Sequence, residues 1–200
     1  MASSPSYDPD EQVGRETGNN DIKLLHDARR PLFNRSVQSR YPPGSTFKTI
    51  NGLIAWQEGI MAPSRSYSCH GRFPIGRGVK CHNHFSPVNL TEAVQTSCNA
   101  YFCYVLRDIL DNRKYGDIHK GMDTWEEYVR SFGFGRKLDS DFVEEVNGLV
   151  PTSELYDRKY NGRWNSLTVI SLAIGQGELG ASPLQMANLA ATIANRGHYY

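Results

Sequence analysis

The stretch Tyr41-Pro-Pro-Gly-Ser45 constrains this chain more than any other. Each proline fixes φ near −65° and removes a backbone donor, so neither can sit inside a helix or a central strand. The glycine that follows frees the backbone for a tight turn. Immediately beyond it, Phe47, Ile50, Leu53, Ile54 and Ala55 recur at helical spacing. The pattern predicts a forced turn that feeds a helix from Ser45 to Glu58, with Gly59 as its stop. Ser45 opens that helix and Lys48 stands three positions on, so the two side chains share one face at its first turn.

Composition excludes several alternatives. The chain has 200 residues, the size of one ordinary domain with one core. Lys plus Arg number 22 and Asp plus Glu 21, a net charge of +1. That balance gives no basic excess for nucleic acid, and no partner of that class is expected. Eleven Tyr, eight Phe and three Trp are enough to fill a core. No apolar run reaches the ~18 residues a membrane span needs. The opening Met-Ala-Ser-Ser-Pro-Ser-Tyr-Asp-Pro lacks the charged and apolar regions of a signal peptide. A cytosolic protein, or an export and anchoring segment outside this chain, are the two readings this leaves. Four Cys are too few for a disulfide scaffold.

The rest of the chain reads mostly as helices. Residues 1–20, rich in Ser, Pro, Asp, Gly and Asn, read as a strand end and an open loop. Residues 60–88 form a long connection with little periodicity, which implies a constraint or function of its own. Asn89 with Glu92 is a capping-box pattern opening a short helix to about Gln95. Ser97-Cys98-Asn99 interrupts it, and Ala100 to Leu110 is an apolar, buried helix. Thr124 with Glu127 is a second box, predicting a helix that ends at Gly133. Ser182-Pro-Leu-Gln185 is a third; its helix, apolar almost all round to Ala194, is predicted to be buried.

A serine is a weak nucleophile until a base takes its proton. A lysine serves as that base only if burial or nearby positive charge lowers its pKa. Free N–H groups at a helix start can also stabilise an oxyanion. Ser45-Thr-Phe-Lys48 alone is also compatible with a capping serine and a solvated lysine. Ser97-x-Asn99, placed in a break between two helices, supplies the context. Ser-x-x-Lys with a downstream Ser-x-Asn and a Lys-Thr-Gly is the signature of penicillin-recognising serine enzymes.

Tyr41-Pro-Pro-Gly-Ser-Thr-Phe-Lys48 resembles the nucleophile segment of class B penicillin-binding proteins. Pro31-Leu-Phe-Asn-Arg35 is similar to that family's approach segment, and Ser97-Cys-Asn-Ala-Tyr-Phe102 to its second motif. Ala173-Ile-Gly-Gln-Gly177 with Ser182-Pro-Leu-Gln185 resembles a segment of the penicillin-binding protein 2 branch, the elongation transpeptidases. The resemblance implies peptidoglycan D,D-transpeptidation and a bacterial inner-membrane protein with this domain in the periplasm. Stem peptides and β-lactams would be its ligands, and a glycosyltransferase of the elongation machinery its partner. It implies Ser45 as nucleophile, Lys48 as base, Ser97 as proton relay, and Asn99 to orient Lys48 and bind the substrate amide, with no cofactor for catalysis. The family's third motif, Lys-Thr-Gly or Lys-Ser-Gly, is absent. The expectation is therefore a mainly α fragment of an α/β transpeptidase fold. Residues 1–200 would be a partial transpeptidase domain with the nucleophile helix and helical subdomain, without most of the antiparallel sheet, and weakly active alone. A serine β-lactamase shares Ser-x-x-Lys, but no recognisable Glu-containing deacylation loop accompanies it here. A non-catalytic β-lactam sensor or scaffold domain shares the acylation chemistry.

Cys69, Cys81, His84 and Cys98 form a second constellation, with His70 and His82 near them in sequence. Zinc takes four Cys/His ligands, and Cys81 with His84 has Cys-x2-His spacing. If Ser97 and Asn99 face a cleft, Cys98 between them faces away, towards the 69–84 loop. A structural zinc, a disulfide and buried free thiols are the three readings of these residues. Resemblance to some members of the family implies the zinc, tying the loop to the second motif, although acidic residues can stand there in place of Cys69 and Cys81. Cys103 is read as a core residue, and Tyr101, Phe102 and Tyr104 as core packing. His26, His119 and His198 have no evident role.

Overall fold

A computed structural model describes residues 2–198. The helices are α1 (Thr17–His26), α2 (Arg35–Gln38), α3 (Lys48–Gln57), α4 (Leu90–Gln95), α5 (Asn99–Leu110), α6 (Ile118–Ser131), α7 (Ser153–Tyr160) and α8 (Pro183–Ala194). A two-stranded antiparallel ribbon, β1 (Arg72–Phe73) with β2 (Val79–Lys80), pairs Arg72 with Lys80 and Phe73 with Val79. No helix of the described residues is long and apolar enough to cross a membrane.

The core is built round α5. Its apolar side chains run almost all round the helix: Ala100, Tyr101, Phe102, Cys103, Val105, Leu106, Ile109 and Leu110 are buried. Beyond Asn99 at its start, only the stripe Tyr104, Arg107 and Asp108 is left part-exposed, and a helix buried on the rest of its circumference sits centrally. α3, α6, β1 and the 3-10 turn Ile170–Ile174 pack round it. Phe47, at the end of the 3-10 turn Gly44–Phe47, is fully buried between Trp125 and Phe134, with ring centroids 6.0 and 5.7 Å away. Burying a Phe side chain stabilises a fold by about 1.5–3 kcal/mol, so this ring anchors the turn. Asn51 does the same with hydrogen bonds. Fully buried on α3, it donates to the carbonyls of Leu172 (3.2 Å) and Ala173 (3.1 Å) and accepts from Trp125 Nε1 (2.8 Å).

Several sequence expectations need correction. Residues 2–16 are irregular, as the loop reading expected, apart from a 3-10 turn at Pro9–Gln12; they form no strand end, and α1 begins at Thr17. α3 begins at Lys48, and Ser45 lies on a preceding 3-10 turn, Gly44–Phe47. α6 begins six residues before Thr124, because Asp117 caps it by accepting from Lys120 N at 3.0 Å. Thr124 is mid-helix and donates back to Lys120 O. α8 carries the expected capping box, but among its residues only Gln185, Leu189 and Thr192 are buried, and Ile193 is 47% exposed. The 60–88 connection contains the β1–β2 ribbon, and α7 has no counterpart in the sequence reading.

Candidate active site

The Pro42-Pro43 turn is held at both ends by one later segment. Tyr41 N donates to Ala181 O (2.9 Å) and Ala181 N to Tyr41 O (2.8 Å). At the other end, Gly44 N donates to Gly175 O at 2.8 Å. Gly175 has φ +67°, and a Cβ there would stand 2.2 Å from Gly44 O. Only glycine permits this approach. Residues 175–181 thus cradle the turn that carries Ser45, and Gly180 pairs in turn with Leu149.

Ser45 is exposed, while Lys48 is 2% exposed. The 3-10 turn places residues i and i+3 nearly eclipsed, so the two side chains rise from the same edge. The Ser45 hydroxyl makes no hydrogen bond among the described residues. Lys48 Nζ donates to Ser97 O (2.6 Å), Ser97 Oγ (2.9 Å) and Asn99 Oδ1 (2.6 Å). Among the described residues it pairs with no carboxylate. Burial lowers its pKa below the ordinary 10.5, against the opposing pull of the Cys81, Cys98 and Cys103 sulfurs.

Ser97 sits between α4 and α5 with φ +50°, in the left-handed region. For a non-glycine residue this costs on the order of 1–3 kcal/mol and persists only where the surroundings dictate it. Cys98 N donates to Ala93 O at 2.9 Å, and Cys98 Sγ accepts from Tyr101 N at 3.3 Å, capping α5. The sharp bend turns Ser97 and Asn99 towards Lys48 and Cys98 away from it. Asn99 Nδ2 donates to Lys80 O at 2.8 Å, which fixes the amide so that its oxygen meets the lysine. A backbone carbonyl has no sequence signature, so Lys80 escaped the sequence reading.

Cys69, Cys81, His84 and Cys98 meet on the other side of the bend. Their ligand atoms all lie within 4.8 Å of one another. Cys81 Sγ is 3.5 Å from His84 Nε2 and 4.0 Å from Cys98 Sγ. Tetrahedral zinc sets S–S and S–N separations of about 3.8 and 3.5 Å, so Cys81 stands at about the distances from His84 and Cys98 that such an ion requires. All four cysteines are free, and 4.0 Å is far beyond the ~2.05 Å of a disulfide. His84 Nδ1 lies 2.6 Å from Phe85 O; holding its proton there leaves Nε2 open as a ligand. Asn99 N donates to Cys81 Sγ at 3.2 Å. Burial raises the Cys81 thiol, but the backbone N–H groups of Ala100 and Asn99, with His84 and Cys69, outweigh it and hold it at about 7. Burial pushes Cys98 up to about 12. His70, His82 and Cys103 lie outside the cluster; Cys103 is fully buried in the core.

A turn-borne serine, a buried lysine one 3-10 turn on, and a Ser-x-Asn facing that lysine are the residue types that serine acyl transfer needs. The family model of the penicillin binding protein transpeptidase domain matches residues 1–200, and the chain belongs to that family, as the mainly helical part of its fold. Within it, the chain is similar to the peptidoglycan D,D-transpeptidase MrdA of Acinetobacter baumannii, 33% identical over 205 residues, 100% of this chain and 29% of the relative. The chain thus spans under a third of that relative's length. The crystal structure of Pseudomonas aeruginosa PBP2 in complex with WCK 5153 matches with TM-score 0.84 and 30% identity over 100% of this chain and 44% of that one. The penicillin G acyl-enzyme complex of Mycobacterium tuberculosis penicillin-binding protein A matches with TM-score 0.72 and 26% identity, over 97% and 42%.

Proposed function

We propose that this chain is the helical part of a periplasmic transpeptidase domain that cross-links peptidoglycan stem peptides. One observation carries the reading: Lys48 is buried beside Ser97 and Asn99 with neutral oxygen acceptors and no carboxylate. A structural buried lysine is normally ion-paired. With no carboxylate beside it among the described residues, burial favours the neutral, basic form of Lys48 against the pull of the nearby Cys sulfurs, and that form is what a general base requires.

In the reaction, Ser45 Oγ attacks the penultimate D-Ala carbonyl of a donor stem and gives its proton to neutral Lys48. The tetrahedral intermediate collapses with cleavage of the peptide bond. The terminal D-Ala leaves as its amine, protonated from Lys48 through the Ser97 hydroxyl. An amine of a neighbouring stem then attacks the Ser45 ester and gives its proton to Lys48 by the same route; the ester C–O bond breaks as the new amide forms, and Lys48 returns the proton to Ser45 Oγ. Asn99, its amide oriented by Lys80 O, holds Lys48 in line and offers the substrate amide a partner. A β-lactam acylates Ser45 as a mimic of D-Ala-D-Ala. A glycosyltransferase is the expected partner, since cross-linking acts on strands that polymerisation supplies.

Cys69, Cys81, His84 and Cys98 would hold a structural zinc. The ion would stiffen the 69–84 loop and the Ser97–Asn99 bend from behind, and it takes no part in the chemistry. Metal analysis of the purified protein is expected to return about one zinc per chain; under ~0.2 rejects the site, since tight structural zinc survives purification.

Mass spectrometry of the full-length protein after penicillin treatment tests the main reading. The expected adduct lies on the peptide containing Ser45, persists for hours, and is absent from Ser45→Ala. Label on another residue, or turnover within seconds as in a β-lactamase, overturns it.

A further inference from the structure

The 175–181 segment is fixed to the nucleophile turn at both ends, and its middle has an anchor of its own. Half-buried Glu178 accepts a hydrogen bond from Tyr156 Oη at 2.8 Å and pairs with Lys159 Nζ. Both partners lie on α7, and the Tyr156 ring is fully buried against Trp164 at 5.4 Å. α7 is itself tied to α6, through Ser153 Oγ on Asp123 (2.6 Å) and through His119 on Asp157 (3.0 Å). Gly177 and Gln176 are exposed, and besides Glu178 the stretch between Gly175 and Leu179 is held by Gln176 N, which donates to Ser171 O at 3.1 Å.

We propose that Glu178, held by Tyr156, is a positioning residue for Ser45. It fixes the 175–178 bend, and through Gly175 O on Gly44 N it sets where the Pro42-Pro43 turn presents the nucleophile. Glu178 touches no reacting atom. Its effect therefore falls on the acylation step and not on the first, non-covalent binding of a β-lactam. This rests on the transpeptidase reading of Ser45, and deepens it by adding a helix absent from all three motifs to the machinery that places the serine.

Stopped-flow acylation of the full-length protein with a fluorescent penicillin separates the two steps. In Glu178→Ala the acylation rate constant is expected to fall about tenfold, part of the ~10²-fold loss that a ~1 Å misplacement brings. The dissociation constant of the non-covalent complex stays unchanged. Glu178→Gln retains an acceptor for Tyr156 and is expected to recover the rate to within about threefold of wild type, a rescue that a lost ion pair alone would not give. Tyr156→Phe keeps the buried ring and decides the matter if Glu178→Ala does not fold: a rate about threefold or more below wild type supports the assignment, and a wild-type rate overturns it. An unchanged rate in Glu178→Ala, or Glu178→Gln as slow as Glu178→Ala, also overturns it. Ser45→Ala serves as the control: if it still takes the label, the identity of the nucleophile fails, whatever Glu178 does.

Discussion

Gly175→Ala tests whether the 175–181 cradle places the nucleophile. The new Cβ would stand 2.2 Å from Gly44 O, 2.8 Å from Gly44 N and 2.8 Å from Phe47 Cβ. Ordinary contact begins near 3.4 Å, so cradle and turn must separate by about 1 Å. Phe47 is locked between Trp125 and Phe134, so the movement falls on Gly44 and Ser45. A displacement of ~1 Å costs on the order of 10²-fold in a rate that depends on alignment. That is about 2.7 kcal/mol of activation free energy. Stability suffers less: about 1–2 kcal/mol for an alanine held at positive φ, and about 1 kcal/mol for a weakened Gly44–Gly175 hydrogen bond. Gly116→Ala is the matched control. Its φ is also positive, at +87°, but its Cβ meets nothing within 4 Å, and it lies outside the cradle. Acylation by a fluorescent penicillin and thermal melting, on both variants, separate the effects. The expected result is a comparable loss of melting temperature in both and a loss of acylation in Gly175→Ala alone. Equal acylation losses, or a Gly175→Ala rate within about threefold of wild type, would refute the argument.

Three further expectations follow from the network round the site. Because burial lowers the Lys48 pKa, the neutral base accumulates as pH rises through that lowered value. The acylation rate constant should therefore climb with pH and level off below pH 10.5, and Lys48→Arg, which cannot deprotonate, should show no activity; a plateau already present at low pH contradicts this. Asn51→Leu leaves Trp125 Nε1 and the Leu172 and Ala173 carbonyls without their buried partner, so denaturant unfolding should show a loss of about 3 kcal/mol, and a loss under about 1 kcal/mol counts against the role given to Asn51. Hydrogen bonds from Lys114, Tyr115 and Tyr128 hold the Glu58 carboxyl at about 2, against an ordinary 4.5. Its stabilisation is complete above pH 4.5 and is lost as pH falls through about 2; Glu58→Gln should flatten the melting-temperature profile across that window, and an unchanged profile rejects the linkage.

What could be read from the sequence was local. The boxes Asn89–Glu92 and Ser182–Gln185 are complete as written, because each hydrogen bond closes within four residues. Thr124–Glu127 has the same spelling but lies inside a helix that Asp117 had already started, so the pattern is necessary but not sufficient. α7 was invisible because Ser-Glu-Leu-Tyr-Asp-Arg-Lys-Tyr offers one turn of apolar residues, and its stability comes from contacts to α6 and Glu178. α8 was misjudged because composition gives the capacity for burial, and packing decides which face uses it. At the site, Ser45-x-x-Lys48 and Ser97-x-Asn99 were legible as two local motifs, but the contact of Lys48 with Ser97 and Asn99, about 50 residues apart in the chain, was expected only from the family resemblance. Lys80 O, Gly175 O and Glu178 act across 19 to more than 130 residues of chain, and no spacing rule reaches that far.

The arrangement resolves a conflict built into serine–lysine chemistry. The serine must be open to a substrate while the lysine must be dry enough to lose its proton, yet only three residues separate them. The two side chains rise from the same edge, so what separates them is depth along the chain. Ser45 lies on the 3-10 turn, open to solvent, and Lys48 opens α3, whose packing on α5 takes it down to 2% exposure. The same logic explains the strain at Ser97. A regular connection from α4 to α5 would turn one side chain at a time towards Lys48. The left-handed residue brings the Ser97 carbonyl, its hydroxyl and the Asn99 amide to one amine, and sends Cys98 to the thiol cluster behind. Lys48 needs three acceptors only when it carries a proton, since a neutral amine has two N–H bonds to give. Once the proton is lost, one of the three contacts must loosen, and the free lone pair is available to the nearest hydroxyl. Ser97, with both its carbonyl and its hydroxyl on the amine, can release one contact and keep the other, which suits it to pass a proton without letting the lysine move.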